Sequence, residues 1–566
     1  MTTDPASASN GTVGILGWIE RSGNRLPDPV VIFLYCILAV IAISVIAAAT
    51  GTYALHPTQV DAAGNAMAIR AESLLSADNL RRLLVEMPRT FTGFHPLGYV
   101  LVVMLGAGVA ERSGLLGTAM SAAVSNVPRL LLTPAVALVG MLGNLAADAA
   151  YVVLIPLAGV IFHAAGRHPV AGIAAAFAGV SGGFSANLLP GQLDALLFGI
   201  TEAAAETILP TWDANIAGNA WFIVVMTLVF LPIIWYITDR VIEPRMGPYG
   251  GGGLQGGSAD NIEDAATGTG DSTSFDTAGG DIGHPEADSG DPENPEGSGA
   301  GTEAPGASVA EAERRGLKRA GWAVLGVVAI WVFLCIGPGT PLIDESAPVE
   351  SRFNPLFQSL VAGFCAVFLA AGWAYGAAAG TVKNHRDLVD MMKGAMGDMA
   401  YYLVLSFAAA HFVAMFNWSN LGLIFAIQGA AVLESSNMPD TLLMASIILF
   451  GALLNLFIGS ASAKWALLAP VLVPMLMLVG ISPEMTTAAY RVGDSATNII
   501  TPLMPYLPLV LVFAQRWQKD FGLGSLVATM LPYSMFLLLS GLVLTILWVF
   551  LGLPLGPAAP VSFAMP

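Results

Sequence analysis

A chain of 566 residues that is 55% hydrophobic and 11% charged holds less than half the charged complement of a soluble globular protein, about 25%. Its mean hydropathy of +0.69 excludes a water-soluble enzyme of this size, since the surface could not be covered, and apolar stretches long enough to span a ~30 Å hydrocarbon core recur along it. The net charge of −17 is local: residues 246–310 hold twelve acidic residues and no Lys or Arg, which leaves −5 for everything else.

Residues 1–28 are polar ahead of the first span, so they are expected to be a cytoplasmic N-terminal segment and not a signal peptide. The first membrane half, 29–245, opens with a span over about 29–50. A longer apolar tract at about 97–125 is interrupted at Glu111-Arg112-Ser113-Gly114. The tract 131–163 could cross twice but has the polar, small-residue centre Gly143-Asn144-Leu145-Ala146-Ala147-Asp148, and 169–203 is broken at Ser185-Ala186-Asn187. A span at about 219–238 closes this half. The acidic, Gly- and Pro-rich stretch 246–310 has too few aromatics to bury surface and is expected to be a disordered cytoplasmic linker.

The second half, 311–566, begins with spans at about 321–337 and 355–379. The tract 399–433 is interrupted at Asn417-Trp418-Ser419-Asn420, and 440–480 has the centre Gly459-Ser460-Ala461-Ser462-Ala463-Lys464. The tract 484–515 carries Gly493-Asp494-Ser495, and a span at about 528–552 ends the half. Irregular backbone at membrane depth survives only where protein or water satisfies it. The tracts 131–163 and 440–480 therefore predict re-entrant hairpins, and 169–203 and 484–515 predict broken helices. The fold class expected is an all-α polytopic membrane protein with about nine transmembrane helices plus two hairpins.

With the N-terminus inside, sixteen of the 23 Lys and Arg fall on the cytoplasmic side, as the positive-inside bias requires. Arg70, Arg81, Arg82, Arg89 and Arg352 fall outside, while Lys464 and Arg491 lie within the membrane. The halves repeat. Gly143-x-x-x-x-Asp148 with Pro156 matches Gly459-x-x-x-x-Lys464 with Pro470, and Ser185-Ala-Asn187-Leu-Leu-Pro190 parallels Ala496-Thr-Asn498-Ile-Ile-Thr-Pro502. In this topology the two copies have opposite orientation, and paired broken segments point to a transporter site at the midplane.

An ionisable group at the bilayer centre costs about 2.5–3.5 kcal/mol, so each one needs a reason. Arg491 and Asp494 share a helical face; they form either a self-neutralising ion pair or a carboxylate clamp beside a proton- or cation-responsive acid, and the nearby Asn498 break favours the second. Lys464 and Trp465 follow Ser460 and Ser462 at a hairpin tip, where hydroxyls and free amides suit anions and an indole face suits an aryl group. The alternative is a packed Trp with Lys464 snorkelling along its edge. Asp148 and Asp194 are each a cation ligand or the partner of a basic residue. Asn144, Ser185, Asn187, Ser460, Thr497 and Asn498 supply neutral oxygens of the kind that hold Na⁺ or H⁺ at broken helices, or else polar contacts between helices. His411 reads as a packing residue. Cys36, Cys335 and Cys365 lie in apolar runs, so no Cys-based metal site is expected. Neither H-E-x-x-H, G-x-S-x-G nor a P-loop occurs, so no enzymatic constellation and no cofactor is expected; Na⁺ as coupling ion is the one metal possibility.

Asp148-Ala-Ala-Tyr-Val-Val-Leu-Ile-Pro156, Gly166-Arg-His-Pro169 and the run from Ala171 to Asn187 resemble the p-aminobenzoyl-glutamate transporter (AbgT) family. So do Gly459 to Pro470, Tyr490 to Pro502 and the opening Trp18 to Pro27. The resemblance covers nearly all of the membrane portion but not the linker. It implies a homodimer in the inner membrane, nine transmembrane helices and two hairpins per subunit, and cation-driven transport of p-aminobenzoyl-glutamate or export of sulfonamide-type antimetabolites. It implies substrate-site positions at Asp194, Ser462, Trp465, Pro483, Arg491 and Asp494. Pro483 rests on the resemblance alone. No nucleic-acid partner is expected. The alternatives are a dicarboxylate carrier of the same superfamily and an intramembrane enzyme using Asp194 and Asp494.

Overall fold

The computed structural model of the chain describes residues 28–60, 66–125, 127–146, 149–247, 305–336, 339–346, 352–501, 503–504 and 506–564. The expected N-terminal segment, nearly all of the acidic linker and Asp148 lie outside the described residues.

Helix α1, Pro29–Thr50, begins where the Asp28 side chain accepts the Val30 N–H at 2.8 Å and stops at the left-handed Gly51. These are the cap and stop that a helix with four unpaired groups at each end requires. A two-stranded antiparallel sheet follows, β1 (Tyr53–Val60) on β2 (Ala66–Arg70), pairing Tyr53 with Arg70 and Leu55 with Ala68. It is the exception to the all-α expectation among the described residues; the adjoining Asn420 amide donates to the Arg70 carbonyl and helps hold it. Next come α2 (Ala77–Thr92), α3 (His95–Arg112) and α4 (Leu115–Ser125), with the α3–α4 turn made by Gly114 at φ +91°. The interruption expected at Glu111 to Gly114 therefore falls where the turn lies.

The tract 131–163 forms two limbs, α5 (Leu132–Gly143) and α6 (Ala149–Ala164), joined through a 3₁₀ turn at Asn144–Ala146. The tract 169–203 forms α7 (Pro169–Phe177), a π turn over Ala178–Gly182, and α8 (Gln192–Ala205). Helix α9, Ala220–Ile237, continues through a second π turn to Met246. After the linker come α10 (Pro305–Phe333), α11 (Leu360–Ala379), α12 (His385–Asp398), α13 (Ala400–Trp418) and α14 (Leu421–Ser435). Asn420, at φ +58°, makes the break between α13 and α14. The second hairpin tract holds α15 (Asp440–Asn455) and α16 (Ala461–Leu478), the second broken tract α17 (Pro483–Thr497) and α18 (Leu507–Gln515), and α19 (Leu523–Leu551) is last.

The interruption expected at Gly493-Asp494-Ser495 is corrected: these residues lie inside α17, and regular helix ends at Thr497, where the Asn498 break is expected. Gly493 serves close approach instead of a bend: a Cβ there would lie 2.2 Å from the Ile448 carbonyl oxygen of α15. Small residues at such crossings let helix backbones touch where lipid gives no hydrophobic driving force.

Among the described residues eight helices are long and apolar enough to cross a membrane: Pro29–Thr50, Ala77–Arg112, Ala220–Met246, Glu311–Phe333, Leu360–Ala379, Ala400–Trp418, Ala461–Leu478 and Leu523–Leu551. The remaining apolar chain is in shorter limbs. Two large cores hold them. One joins the first hairpin, α7 and α9 to α15, α17 and α19; the other joins α1, α8, α13 and α16. The packing of the limbs is reciprocal. Helix α8, beyond the first break, lies on α16 of the second hairpin, while α18, beyond the second break, lies on α6 of the first hairpin. Helix α17 reaches the π turn at Ala178–Gly182, so the two breaks meet inside the protein.

Candidate functional site

Helix α17 is the axis of the site. Every residue from Pro483 to Thr497 is buried. Pro483 takes the first helical position, where its missing N–H costs nothing, and Ser482 caps the helix by accepting the Met485 N–H at 3.1 Å. The Pro483 carbonyl accepts the Thr487 hydroxyl at 2.8 Å. This is a structural occupation for a residue that the sequence offered no physical reason to choose.

Arg491 and Asp494, three residues apart, do not pair with each other. Arg491 reaches across to the first half, donating from Nη1 to Asp194 Oδ1 at 2.6 Å and from Nη2 to the Ser185 carbonyl at 3.4 Å. Asp194 stands at the start of α8, where its second oxygen accepts the Gly191 N–H at 2.8 Å. Both charged groups are almost fully buried, and Arg491 Nε has no hydrogen-bond partner. The Ser495 hydroxyl lies beside them, accepting the Ser185 N–H at 2.9 Å and donating to the Gly182 carbonyl at 3.1 Å. The first break is thus stitched to α17 by hydrogen bonds that satisfy its irregular backbone.

Asp494 faces the second hairpin instead. Its Oδ1 accepts from the Lys464 ammonium, which also donates to Asn455 Oδ1. Asn455, at the end of α15, lies with Nδ2 2.7 Å from the Asp494 carbonyl, 2.9 Å from Thr497 Oγ1 and 2.8 Å from Asn498 Oδ1. Sequence reasoning missed this residue. The available signal was a lone amide inside the apolar tract 440–480, the same kind of signal that singled out Asn144.

Trp465 is fully buried and stacks on Tyr490 with ring centroids 4.5 Å apart and planes at 22°. Its indole N–H donates to Thr201 Oγ1 at 2.9 Å, and Thr201 meets the Thr487 hydroxyl at 2.9 Å, so the second hairpin, α8 and α17 are locked at one point. Trp465→Phe keeps the stacked ring but removes that donor. The expected outcome is a loss of about 1–3 kcal/mol, the cost of a buried hydrogen-bonding group left unsatisfied, read as a lower unfolding temperature of the detergent-solubilised protein.

Ser460 caps α16 by accepting the Ala463 N–H at 3.3 Å and lies 3.2 Å from the Ser462 hydroxyl. Ser462 lines a narrow pocket with Leu196, Ile200, Tyr402 and Phe94. Phe94 also borders a larger cavity of about 440 Å³, whose wall includes Arg82, Arg89, Glu206, Asn417 and Trp418. On the other side of the π turn, Asn144 Nδ2 donates to the Met141 and Val180 carbonyls at 3.2 and 3.0 Å, and Asn187 Nδ2 donates to the same Met141 carbonyl at 3.1 Å. Among the described residues Asn144 Oδ1 and Ser181 Oγ are buried there without partners.

The fold therefore brings Asp194, Ser185, Trp465, Lys464, Arg491, Asp494, Thr497 and Asn498 together around α17. Asn144 and Asn187 lie beside the π turn, while Ser460 and Ser462 lie at the hairpin entrance. Four of the buried charged side chains form two ion pairs, Arg491 with Asp194 and Lys464 with Asp494. Removing one member of such a pair leaves an uncompensated buried charge, so the pairs can exchange partners for a charged solute or ion but cannot simply open. Among the described residues no group of three or more His, Cys, Asp or Glu is arranged to hold a metal ion.

The family model described as "AbgT putative transporter family" matches residues 14–279 and 296–563. The chain is 33% identical over 558 residues, 98% of each chain, to the p-aminobenzoyl-glutamate transport protein of Escherichia coli K12. Two solved structures are similar. The Alcanivorax borkumensis YdaH transporter superposes with a TM-score of 0.79 at 41% identity, covering 94% of this chain and all of that one. Neisseria gonorrhoeae MtrF, described as illuminating a class of antimetabolite efflux pumps, superposes at 0.82 and 38% identity, covering 97% of this chain and all of its own.

Proposed function

The chain belongs to the AbgT family, a family of multi-pass membrane transporters and not of enzymes, and from that membership we propose that it carries p-aminobenzoyl-glutamate, related folate catabolites or sulfonamide-type antimetabolites by cation-coupled secondary transport across the inner membrane. The relative named for p-aminobenzoyl-glutamate transport supports the first solute, and the efflux-pump structure supports the second. One observation carries the reading: Arg491 is buried where the two breaks meet, with one carboxylate partner and an unused Nε–H. A guanidinium offers five donors in a fork that matches a carboxylate, so a glutamate carboxyl group can enter the clamp as Asp194 yields. Na⁺ or H⁺ is the coupling ion, held by oxygens of the Asn144, Ser185 and Asn187 set. The working unit is a homodimer with its N-terminus in the cytoplasm, and the hairpin-bearing domain moves against the dimer scaffold in an elevator-like step.

A dicarboxylate solute is the second reading, and Trp465 favours it: one face of the ring is already covered by Tyr490, which leaves less of it for an aryl group. Flux of radiolabelled p-aminobenzoyl-glutamate into proteoliposomes, with Na⁺ and pH gradients imposed separately and in both orientations, tests the proposal. The expected result is saturable flux driven by one gradient and inhibited by p-aminobenzoate-containing competitors. Inhibition by glutamate and succinate alone transfers the assignment to dicarboxylates. Flux that neither saturates nor concentrates solute, or chemically altered solute, overturns carrier transport.

A further inference from the structure

We propose that Lys464 is a resident cation: its ammonium fills the position beside the second break that a mobile Na⁺ would otherwise take. The inference rests on the reading of the broken-helix oxygens as a cation environment. Half-helix ends and oxygen side chains at broken segments hold Na⁺ in transporters of this architecture, and the second half has such a set in Asp494, Asn455, Thr497 and Asn498. All four are engaged internally. The Lys464 ammonium donates to Asp494 Oδ1 and Asn455 Oδ1. The Asn455 amide is directed at Thr497 Oγ1 and Asn498 Oδ1. Lys464 is fully buried, and its ammonium is held by these oxygens.

The first half differs. Among the described residues Asn144 Oδ1 and Ser181 Oγ are buried acceptors without partners, and no described Lys or Arg side chain donates to either. An unmet buried acceptor costs about 1–3 kcal/mol, a cost that an arriving cation removes. Around the second break no described buried acceptor is left unmet, and a compact ammonium on a four-carbon stem already supplies the charge. Asp494 is neutralised by Lys464, as Asp194 of the first half is by Arg491. The two halves, similar in sequence, are therefore unequal, with any mobile cation confined to the first and a covalently tethered one in the second.

The test is equilibrium binding of ²²Na⁺ to the full-length protein in nanodiscs, together with the Na⁺-dependence of its unfolding temperature. Lys464→Met keeps the length of the side chain and removes the charge; it is expected to bind about one more Na⁺ per chain than the unmodified protein. Its unfolding temperature should also rise more steeply with Na⁺, since a ligand of the native state stabilises by mass action. The double variant Lys464→Met/Asp494→Asn is expected to gain no ion, and Asp494→Asn alone should leave the count unchanged. An unchanged count in Lys464→Met, or loss of a Na⁺ in Asp494→Asn, overturns the proposal. If Lys464→Met accumulates poorly, recovery of folded protein by Na⁺ supports it, and a yield indifferent to Na⁺ against K⁺ overturns it. The readout is the ion gained and not the starting count. Should the unmodified protein bind no Na⁺, coupling to Na⁺ falls while a gain from none to about one still supports the role of Lys464.

Discussion

Arg491→Gln is expected to abolish saturable uptake, with an apparent affinity loss of at least ~100-fold, about 2.8 kcal/mol at 1.4 kcal/mol per tenfold. The guanidinium is the buried fork that joins α17 to Asp194 and to the Ser185 carbonyl. Truncating one partner of a buried, hydrogen-bonded charge pair costs about 2–5 kcal/mol, much of it from the charge left behind. The single variant should therefore also melt at lower temperature, because the Asp194 carboxylate keeps only the Gly191 N–H. Arg491→Gln/Asp194→Asn separates the two effects. With both charges gone it should recover most of the lost stability and none of the flux. Normal transport by either variant ends the clamp assignment. Arg491→Lys is informative as well: a single ammonium cannot reproduce a fork, so uptake should remain low although the pair with Asp194 survives.

Gly493→Ala should be as damaging by an entirely different route. The added Cβ would sit 2.2 Å from the Ile448 carbonyl oxygen and 2.9 Å from the Ala452 nitrogen, both backbone atoms that cannot rotate away. Helix α17 must then move off α15. Overpacking costs about 1–3 kcal/mol, and the same displacement stretches the Asn455 bonds to the Asp494 carbonyl, Thr497 and Asn498, each worth about 1 kcal/mol net. The expected result is a protein that is recovered poorly in monodisperse form, with uptake lost in what is recovered. Gly397→Ala is the control. A Cβ there meets nothing within 4 Å, and replacing a helical glycine by alanine stabilises by about 0.5–1 kcal/mol. Equal behaviour of the two variants would show that the α15–α17 contact is dispensable.

Several elements were legible in the chain because the physics that sets them is local. Apolar stretches of span length became helices, and the polar tips at Gly143 to Ala146 and at Gly459 to Ser460 became breaks between helices. The Asn417 to Asn420 interruption became a left-handed break. The sheet at 53–70 was not legible. Neither was the run of helix through Gly493-Asp494-Ser495: a glycine beside polar residues reads as a bend when nothing says that another helix lies against it.

Charge type and spacing, then, were enough to single out Arg491, Asp494 and Lys464, since ionisable groups inside an apolar tract are costly wherever they fall. What each one holds was decided only when the chain folded. Arg491 pairs with Asp194 from nearly three hundred residues away, and Asp494 pairs with Lys464, not with the arginine one turn before it. Asn455 became the centre of a network because three segments converge on it. Sequence records the cost of burying a charge; which opposite charge offsets that cost depends on distances between segments that only the packed helices set.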